Sequence, residues 1–439
     1  MFKGMGGLSL FHLITLTVFG AFVTLMLFTT EDKNRLYIKF ILLSYPFLQL
    51  YLIPGRFGLY NFDLLTYLYF IGLYRSKDTS LSSGNVLRLL FFLLFTAATV
   101  GCLTAESLDW WTLPAFIQLF SIFIFSKILI EECLADPTYF YKVIKYLKVT
   151  LIVSFVFLLC QFIFGVQFSL ALVVNPNVLG EGITRYPSFF QDPQRYAQFI
   201  AAVSFVLLIK NAKEPKLPPI NFVLFGISIV ALLLTGGRAA LGGWILGLLL
   251  VIAFSNSTYR ISAFTIATVF AFIGYSFKES LPIFKRTSLT DSYEFRYNVW
   301  QQAYEIFINH PIFGIGLGNY RNYISVYYPE QVWLVEGELV YYDHPESGYL
   351  KILTEVGLLG FSSVALIIII SISRAFRVYL STKHTSTLFL VASIVTWLVG
   401  FYTVYSLGDI RIQVLIATII CLMLTSYKTQ QPTNAKATT

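Results

Sequence analysis

Residues 220–254 read I-N-F-V-L-F-G-I-S-I-V-A-L-L-L-T-G-G-R-A-A-L-G-G-W-I-L-G-L-L-L-V-I-A-F and carry one charged side chain, Arg238. The limb before the T-G-G-R turn and the limb after it each approach the ~17–20 apolar residues that cross a hydrocarbon core of about 30 Å as a helix. Outward from this pair the same pattern recurs along almost the whole chain. Apolar runs fall near 8–28, 36–53, 58–74, 86–105, 111–130, 147–168, 195–210, 218–234, 239–254, 261–277, 347–370, 386–404 and 410–426. The expectation is an all-α polytopic membrane protein with about 12–13 transmembrane helices. The stretch 36–74 is the least regular. It holds Lys39, Pro46, Pro54, Arg56 and Asp63, so one of its two helices is expected to be short or re-entrant.

Composition points the same way. Of 439 residues, 56% are hydrophobic and 12% charged, against about 25% charged in an average soluble domain. Mean hydropathy is +0.71. A water-soluble fold could not bury this much apolar side chain behind so little polar surface. The net charge of +8 is read as topology rather than as a nucleic-acid interface, because most basic residues sit in short loops between apolar runs. Cys102, Cys133, Cys160 and Cys421 show no paired or CxxC spacing, so neither a disulfide framework nor a metal site is expected. The first run lacks an A-x-A-like cleavage site and reads as a retained helix.

Loop charges set the orientation. One alternating set of loops holds Lys33, Arg35, Arg75, Lys77, Arg88, Lys142, Lys145, Lys148, Lys210, Lys213, Lys216, Arg260, Arg374, Arg377, Lys383 and Lys428. The opposite set, the one long loop aside, holds Lys3, Arg56, Arg185, Arg195, Arg238 and Arg411. Cytoplasmic loops carry the Lys/Arg excess, so the first set is assigned inside and the N-terminus outside. The chain divides into N-terminal transmembrane helices (1–277), a long periplasmic loop (278–346), C-terminal transmembrane helices (347–427) and a polar cytoplasmic tail (428–439). The loop is too aromatic for disorder. Tyr293, Phe295, Tyr297, Trp300, Tyr304 and Phe307 fall near helical spacing, which predicts an amphipathic surface helix from Ser292 to Asn309. His310-Pro311 ends it, and Gly314, Gly316 and Gly318 make the following turn.

Three outward places hold arginines: T-R-Y-P-S-F-F-Q-D-P-Q-R-Y-A with Arg185, Asp192 and Arg195; T-G-G-R-A-A with Arg238; and the surface helix with Arg296. A guanidinium offers two parallel hydrogen bonds to a phosphate and keeps its charge at every relevant pH. Glycines beside Arg238 let a bulky group approach the backbone. Arg238 could equally snorkel to the interface, and the others could sit on lipid headgroups or a solvated helix face. Where the long loop re-enters the membrane, D-H-P-E-S-G-Y-L-K-I-L-T-E gathers Asp343, His344 and Glu346. An imidazole or carboxylate there could take a proton from an attacking hydroxyl, or simply be a solvated loop charge. Glu355 lies about two turns into the next helix, where a carboxylate is paired or faces a cavity. Tyr297 and Arg321 complete the candidates for holding substrate. No Walker loop, Rossmann fingerprint or metal-ligand cluster is present.

The run N-H-P-I-F-G-I-G-L-G-N-Y (309–320), followed by H-P-E-S-G-Y-L-K-I-L-T-E-V-G-L-L-G (344–360), resembles the O-antigen polymerase and O-antigen ligase superfamily of bacterial envelope enzymes. T-G-G-R-A-A and P-S-F-F-Q-D-P-Q-R-Y-A resemble that family's arginine and "GxFxxPNxxA" segments. The likeness covers the second half of the chain well and the first half by helix pattern alone. It implies a GT-C-like fold and a metal-independent, inverting glycosyltransferase without cofactor. Such an enzyme moves glycan from undecaprenyl diphosphate at the periplasmic face of the bacterial inner membrane. The acceptor is a second lipid-linked oligosaccharide in a polymerase, or lipid A core in a ligase. By the same resemblance Arg238 and Arg296 would hold the diphosphate, membrane lipids would surround the enzyme, and a chain-length regulator would accompany a polymerase. Glu346 stands where the ligases have a second histidine, and Ser347 replaces an asparagine. That difference favours a polymerase over a ligase, and leaves Glu346 or His344 to act as the base, or a step that needs no strong base. A flippase or transporter is the remaining reading; it would place charges within its helices rather than on one outer face.

Overall fold

The computed structural model describes residues 10–428 except 51–58, 78, 80, 82–83, 109, 111, 169–183, 212–215, 280, 286–288, 330–331, 336–337 and 342–343. Arg56, Asp343 and the tail from residue 429 onward therefore lie outside the described residues. The apolar runs form α1 (Leu10–Phe28), α2 (Lys33–Leu43), α3 (Asn61–Gly72), α4 (Gly84–Thr104), α5 (Thr112–Ala135), α6 (Tyr139–Phe164), α7 (Pro193–Ser204), α8 (Pro219–Thr235), α9 (Arg238–Phe254) and α10 (Ser257–Ser276). The long loop folds as α11 (Pro282–Lys285), α12 (Leu289–Asn309), α13 (Tyr320–Tyr327) and a hairpin of β1 (Val332–Val335) with β2 (Glu338–Tyr341). The chain closes with α14 (Gly348–Thr382), α15 (Thr385–Phe401) and α16 (Ile410–Thr425). It is a multi-pass, all-α membrane protein. α4, α5, α6 and α14 each have the length and hydropathy to cross a bilayer, and shorter apolar helices accompany them. The antiparallel hairpin, with Val332 opposite Tyr341, is an element that the helical reading of the loop did not foresee.

The irregular stretch 36–74 is a pair of short antiparallel helices, α2 of 11 residues and α3 of 12. At 1.5 Å per residue each is about 16–18 Å long. The Tyr37 and Tyr69 rings stack at 4.4 Å, and Asn34 Nδ2 donates to the Arg75 carbonyl at 3.2 Å. Residues 33–35 and 75–77 thus meet on one face, so this stretch alone leaves the orientation of the chain unchanged. They meet around Glu132, whose side chain is fully buried at the end of α5. Its carboxylate receives Arg35 Nε at 3.0 Å, Lys77 Nζ at 2.5 Å and Asn34 Nδ2 at 2.9 Å. A buried carboxylate needs this many donors to offset desolvation. Beside it, burial pushes the Asp32 carboxyl up, but Lys77 and the N–H groups of Arg35 and Asn34 outweigh that and hold it below its usual range.

α7, α8, α9 and α15 pack more tightly than bulky side chains would allow. A Cβ at Gly243 would lie 2.3 Å from the Thr396 carbonyl oxygen, and one at Gly237 2.4 Å from the Ala197 Cβ. Small residues at helix crossings permit this approach, the usual basis of helix association in lipid.

α14 is broken near its start. Gly357 sits at φ 60, ψ −168, which interrupts the helical ladder. The interruption frees the carbonyls of Thr354 and Glu355 and the N–H groups of Leu358 and Leu359. The segment after α12 satisfies all four. Ile315 N donates to Thr354 O at 2.9 Å, Gly316 N to Glu355 O at 3.0 Å, Leu358 N to Pro311 O at 2.8 Å and Leu359 N to Ile312 O at 3.2 Å. A Cβ at Gly357 would stand 2.3 Å from the Ile312 carbonyl, and one at Gly314 2.5 Å from the Thr354 oxygen. Gly357→Ala should therefore lower stability by at least ~2 kcal/mol, since the left-handed φ alone costs about 1–2 kcal/mol. A Cβ at Gly242 in α9 meets nothing within 4 Å, and Gly242→Ala should be neutral or stabilising. Thermal unfolding of both variants in the same detergent checks the contrast; equal midpoints would overturn it.

Candidate functional site

The re-entry of the long loop sets the first part of the site. Ser347 caps α14, its hydroxyl accepting from Leu350 N at 3.5 Å. Immediately before it, Glu346 lies at φ 50, a left-handed conformation that costs a non-glycine residue energy and persists only where the surroundings enforce it. Its carboxylate is 3.7 Å from Arg296 Nη2 and 3.6 Å from His344 Nε2. These are charge contacts longer than good hydrogen bonds, so both carboxylate oxygens keep acceptor capacity. α12 brings Arg296 here by packing Trp300, one turn on, against Tyr402, the tilted rings 5.4 Å apart.

Tyr405 extends the cluster. Its ring lies 5.8 Å from that of His344, and the Lys351 ammonium sits over it at 5.6 Å and over Tyr320 at 5.0 Å. Lys351 is buried and pairs with Glu355 at 2.8 Å. Glu355 also accepts from Tyr320 N at 3.1 Å, which ties α13 to α14. The partner of Glu355 is thus a lysine four residues earlier. Arg195 reaches the same place from α7: its Nη2 is 3.4 Å from where a Gly408 Cβ would stand, beside Tyr405.

The second part is the turn between α8 and α9. Gly236 takes φ 69 there. Buried Arg185 donates from Nε to Thr235 O at 2.8 Å, and half-buried Arg238 donates from Nε to Ile283 O at 3.3 Å. Arg238 is also the first residue of α9, whose N-terminal N–H groups and dipole favour an anion. Through the Gly237–Ala197 contact this turn packs on α7 two residues from Arg195. Arg185 and Arg238 therefore flank this turn, and α7, packed on it, carries Arg195.

Other candidates play supporting parts or stand apart. Asp192 caps α7, accepting from Gln194 N at 2.8 Å, and so aims the helix that carries Arg195. Tyr297 on α12 and Arg321 on α13 are exposed, outside the contacts traced above. Sequence reasoning missed Lys351, for which the i, i+4 spacing to Glu355 was a signal. Tyr405 left no signal. Arg411, counted only as a loop charge, is buried: it holds Asp409 through Nε at 2.8 Å and Nη2 at 2.5 Å, and donates from Nη1 to Phe189 O at 2.6 Å. That pair fixes the P-S-F-F segment ahead of α7. Among the described residues no three His, Cys, Asp or Glu side chains gather as metal ligands.

Residues 223–365 match the family model described as O-antigen ligase. That span, about a third of the chain, is similar to the O-antigen ligase family. The matched span holds Arg238, Arg296, His344, Glu346 and Glu355, whereas Arg185, Asp192 and Arg195 fall outside it. No curated protein matches the chain.

The backbone at Glu346 gives a direct test. Glu346→Gly relieves a left-handed residue, worth about 1 kcal/mol, while removing two partly exposed charge contacts worth ~1 kcal/mol or less in total. The thermal midpoint should stay level or rise. A fall equivalent to more than about 2 kcal/mol would instead mean that the carboxylate holds the loop in place.

Proposed function

We propose that this protein is a membrane glycosyltransferase that polymerises undecaprenyl-diphosphate-linked oligosaccharide repeats at the periplasmic face of the inner membrane. The observation that carries the reading is the meeting of Glu346, His344 and Arg296 where the long loop re-enters the membrane. The charge count supports the face of the long loop as periplasmic, because the Lys/Arg-rich loops lie on the other.

The chemistry follows from the charges. The acceptor hydroxyl oxygen bonds to the anomeric carbon of the donor sugar. The bond from that carbon to the diphosphate oxygen breaks, and its electron pair leaves with undecaprenyl diphosphate. The hydroxyl proton passes to Glu346 or His344. Arg238 and Arg296, with the N-terminus of α9, balance the charge that develops on the leaving diphosphate. Attack from the side opposite the diphosphate inverts the anomeric centre, and no metal is required where guanidinium groups carry that charge. Glu346 in place of a second histidine favours polymerase. Transfer of finished glycan to lipid A core is the second reading, favoured by the description of the matched family, O-antigen ligase.

Arg238→Ala should reduce polymer formation by about 10²–10³-fold, the scale of losing one donor to a developing oxyanion, with unchanged membrane abundance. Arg238→Lys should recover part of it, since the charge remains but the fork is lost. The check is size-resolved analysis of lipid-linked glycans in a deletion strain complemented with each variant. Accumulation of single undecaprenyl-diphosphate repeats supports polymerase. Accumulation of long undecaprenyl-linked polymer supports ligase, and full-length product from Arg238→Ala would sink the assignment of that arginine.

A further inference from the structure

A cleft of about 470 Å³ lies between α4, α5, α14 and α16. Its lining is mostly apolar, and its charges are sorted by end. α4 and α5 run antiparallel, with Phe91 against Phe123 at 4.1 Å and Phe95 against Phe120 at 4.9 Å. That register sets Arg88, one turn before Phe91, level with Lys127, one turn after Phe123. Both side chains line the cleft. They do so away from the long loop, which meets α4 near its other end, where Gly101 lies against Phe313. At the loop end the charged lining residue is Glu355, a carboxylate paired with Lys351. An anion is therefore favoured at the Arg88–Lys127 end of the cleft and disfavoured at the Glu355 end.

The two cations have little other engagement. Among the described residues Arg88 makes no ion pair; its guanidinium folds back along α4, Nη2 lying 3.8 Å from where a Gly84 Cβ would stand. Lys127 has Glu131 four residues on, at 3.8 Å, and keeps 42% of its side chain exposed, so this helical pair is weak. Glu131 turns toward other donors, accepting from the Tyr74 hydroxyl at 2.8 Å and from Lys77 N at 3.4 Å. Arg88, Lys127 and Glu131 together carry one net positive charge, which one phosphodiester balances. Guanidinium and ammonium groups are both good donors to phosphate oxygens. From Lys127 the lining of α5 continues to Ala115, about 18 Å at 1.5 Å per residue. One leaflet is about 15 Å deep, half of the ~30 Å hydrocarbon core. Cations at one end and an apolar path of this length match a phosphate with one acyl chain beneath it.

We propose that this cleft holds a phospholipid with an anionic headgroup, drawn from the leaflet opposite the long loop. Its phosphate rests on Arg88 and Lys127, and an acyl chain runs along α5 toward Ala115. The site lies outside the transfer chemistry and holds for a polymerase and a ligase alike. Filling it ties α5 and α16 to the α4–α14 pair, which grips residues 311–316 of the long loop through Gly101 and the break at Gly357.

The test uses the full-length protein in phosphatidylcholine vesicles with a trace of phosphatidylglycerol that carries a diazirine midway along one acyl chain. After illumination, the label should map to α4 and α5 between Arg88 and Ala115. Unlabelled phosphatidylglycerol should compete about tenfold better than phosphatidylcholine, the scale expected for two cations near an anionic headgroup. In the Arg88→Gln/Lys127→Gln double variant the two lipids should compete within about twofold, and each single variant should fall between. Arg88→Lys should keep most of the preference, because the charge remains. Thermal midpoints in pure phosphatidylcholine report that the variants are folded, and the single variants serve if the double variant is not. Equal competition by the two lipids in the wild-type protein, or label spread evenly over the lipid-facing helices, would mean an annular lipid only and overturn the proposal. A preference that survives loss of both cations would do the same. Stronger competition by undecaprenyl phosphate than by phosphatidylglycerol would assign the cleft to a polyprenyl chain and sink the phospholipid, leaving the glycosyltransferase reading in place.

Discussion

A helix broken inside a membrane protein leaves backbone groups that lipid cannot solvate, and the structure around the site depends on how the break at Gly357 is repaired. Two carbonyls and two N–H groups lose their helical partners there. Each would cost several kcal/mol if left in hydrocarbon. The backbone of residues 311–316 supplies all four partners. It lies so close that a side chain at Gly357 or Gly314 would collide with backbone. α4 presses on the same strap, where a Cβ at Gly101 would stand 2.5 Å from the Phe313 carbonyl oxygen. The long loop is therefore anchored at its midpoint to the helix into which its end leads. With both ends of residues 316–348 tied to α14, Arg296 on one side and His344 and Glu346 on the other are brought within contact.

The arginines divide by how they are held. Arg411 has three hydrogen bonds to Asp409 and Phe189 and is 2% exposed. An arginine so engaged is a tie, and here it fixes the segment that precedes α7. Arg185 is also buried and leans on the end of α8. Arg238 and Arg296 remain partly exposed, at the start of a helix and beside a carboxylate. These two best combine fixed position with room for an anion, since a preorganised charge stabilises a developing one without reorganising.

Much of the fold was legible because the bilayer imposes one length and one composition on every crossing. Most helices from α4 onward begin and end within a few residues of their apolar runs, but α6 starts eight residues early and α14 runs twelve residues on, where their ends carry the charged residues Lys142, Lys145, Arg374 and Arg377; α12 starts three residues before the predicted surface helix. The short pair α2 and α3 carried its own warning in Pro46, Pro54 and Asp63. The β-hairpin was missed because V-W-L-V and E-L-V-Y, flanking Glu336-Gly337, were absorbed into an aromatic loop read for helical spacing, although β-branched and aromatic runs around a glycine are a hairpin signal. Of the site, the charged groups were visible as residues out of place in apolar sequence. What joins them was not. Tyr405 lies some 60 residues from His344 in sequence, and the Asp409–Arg411 pair acts on Phe189; such contacts exist only after helices distant in sequence pack.

Glu346 concentrates the consequences. Its left-handed backbone is imposed between Pro345 and the cap of α14, and strain of this kind is kept where a side chain must point in one direction. The direction is toward a guanidinium and an imidazole at separations too long for either to saturate the carboxylate. A carboxylate so placed can accept a proton from a hydroxyl, with Arg296 beside it to hold an anionic group.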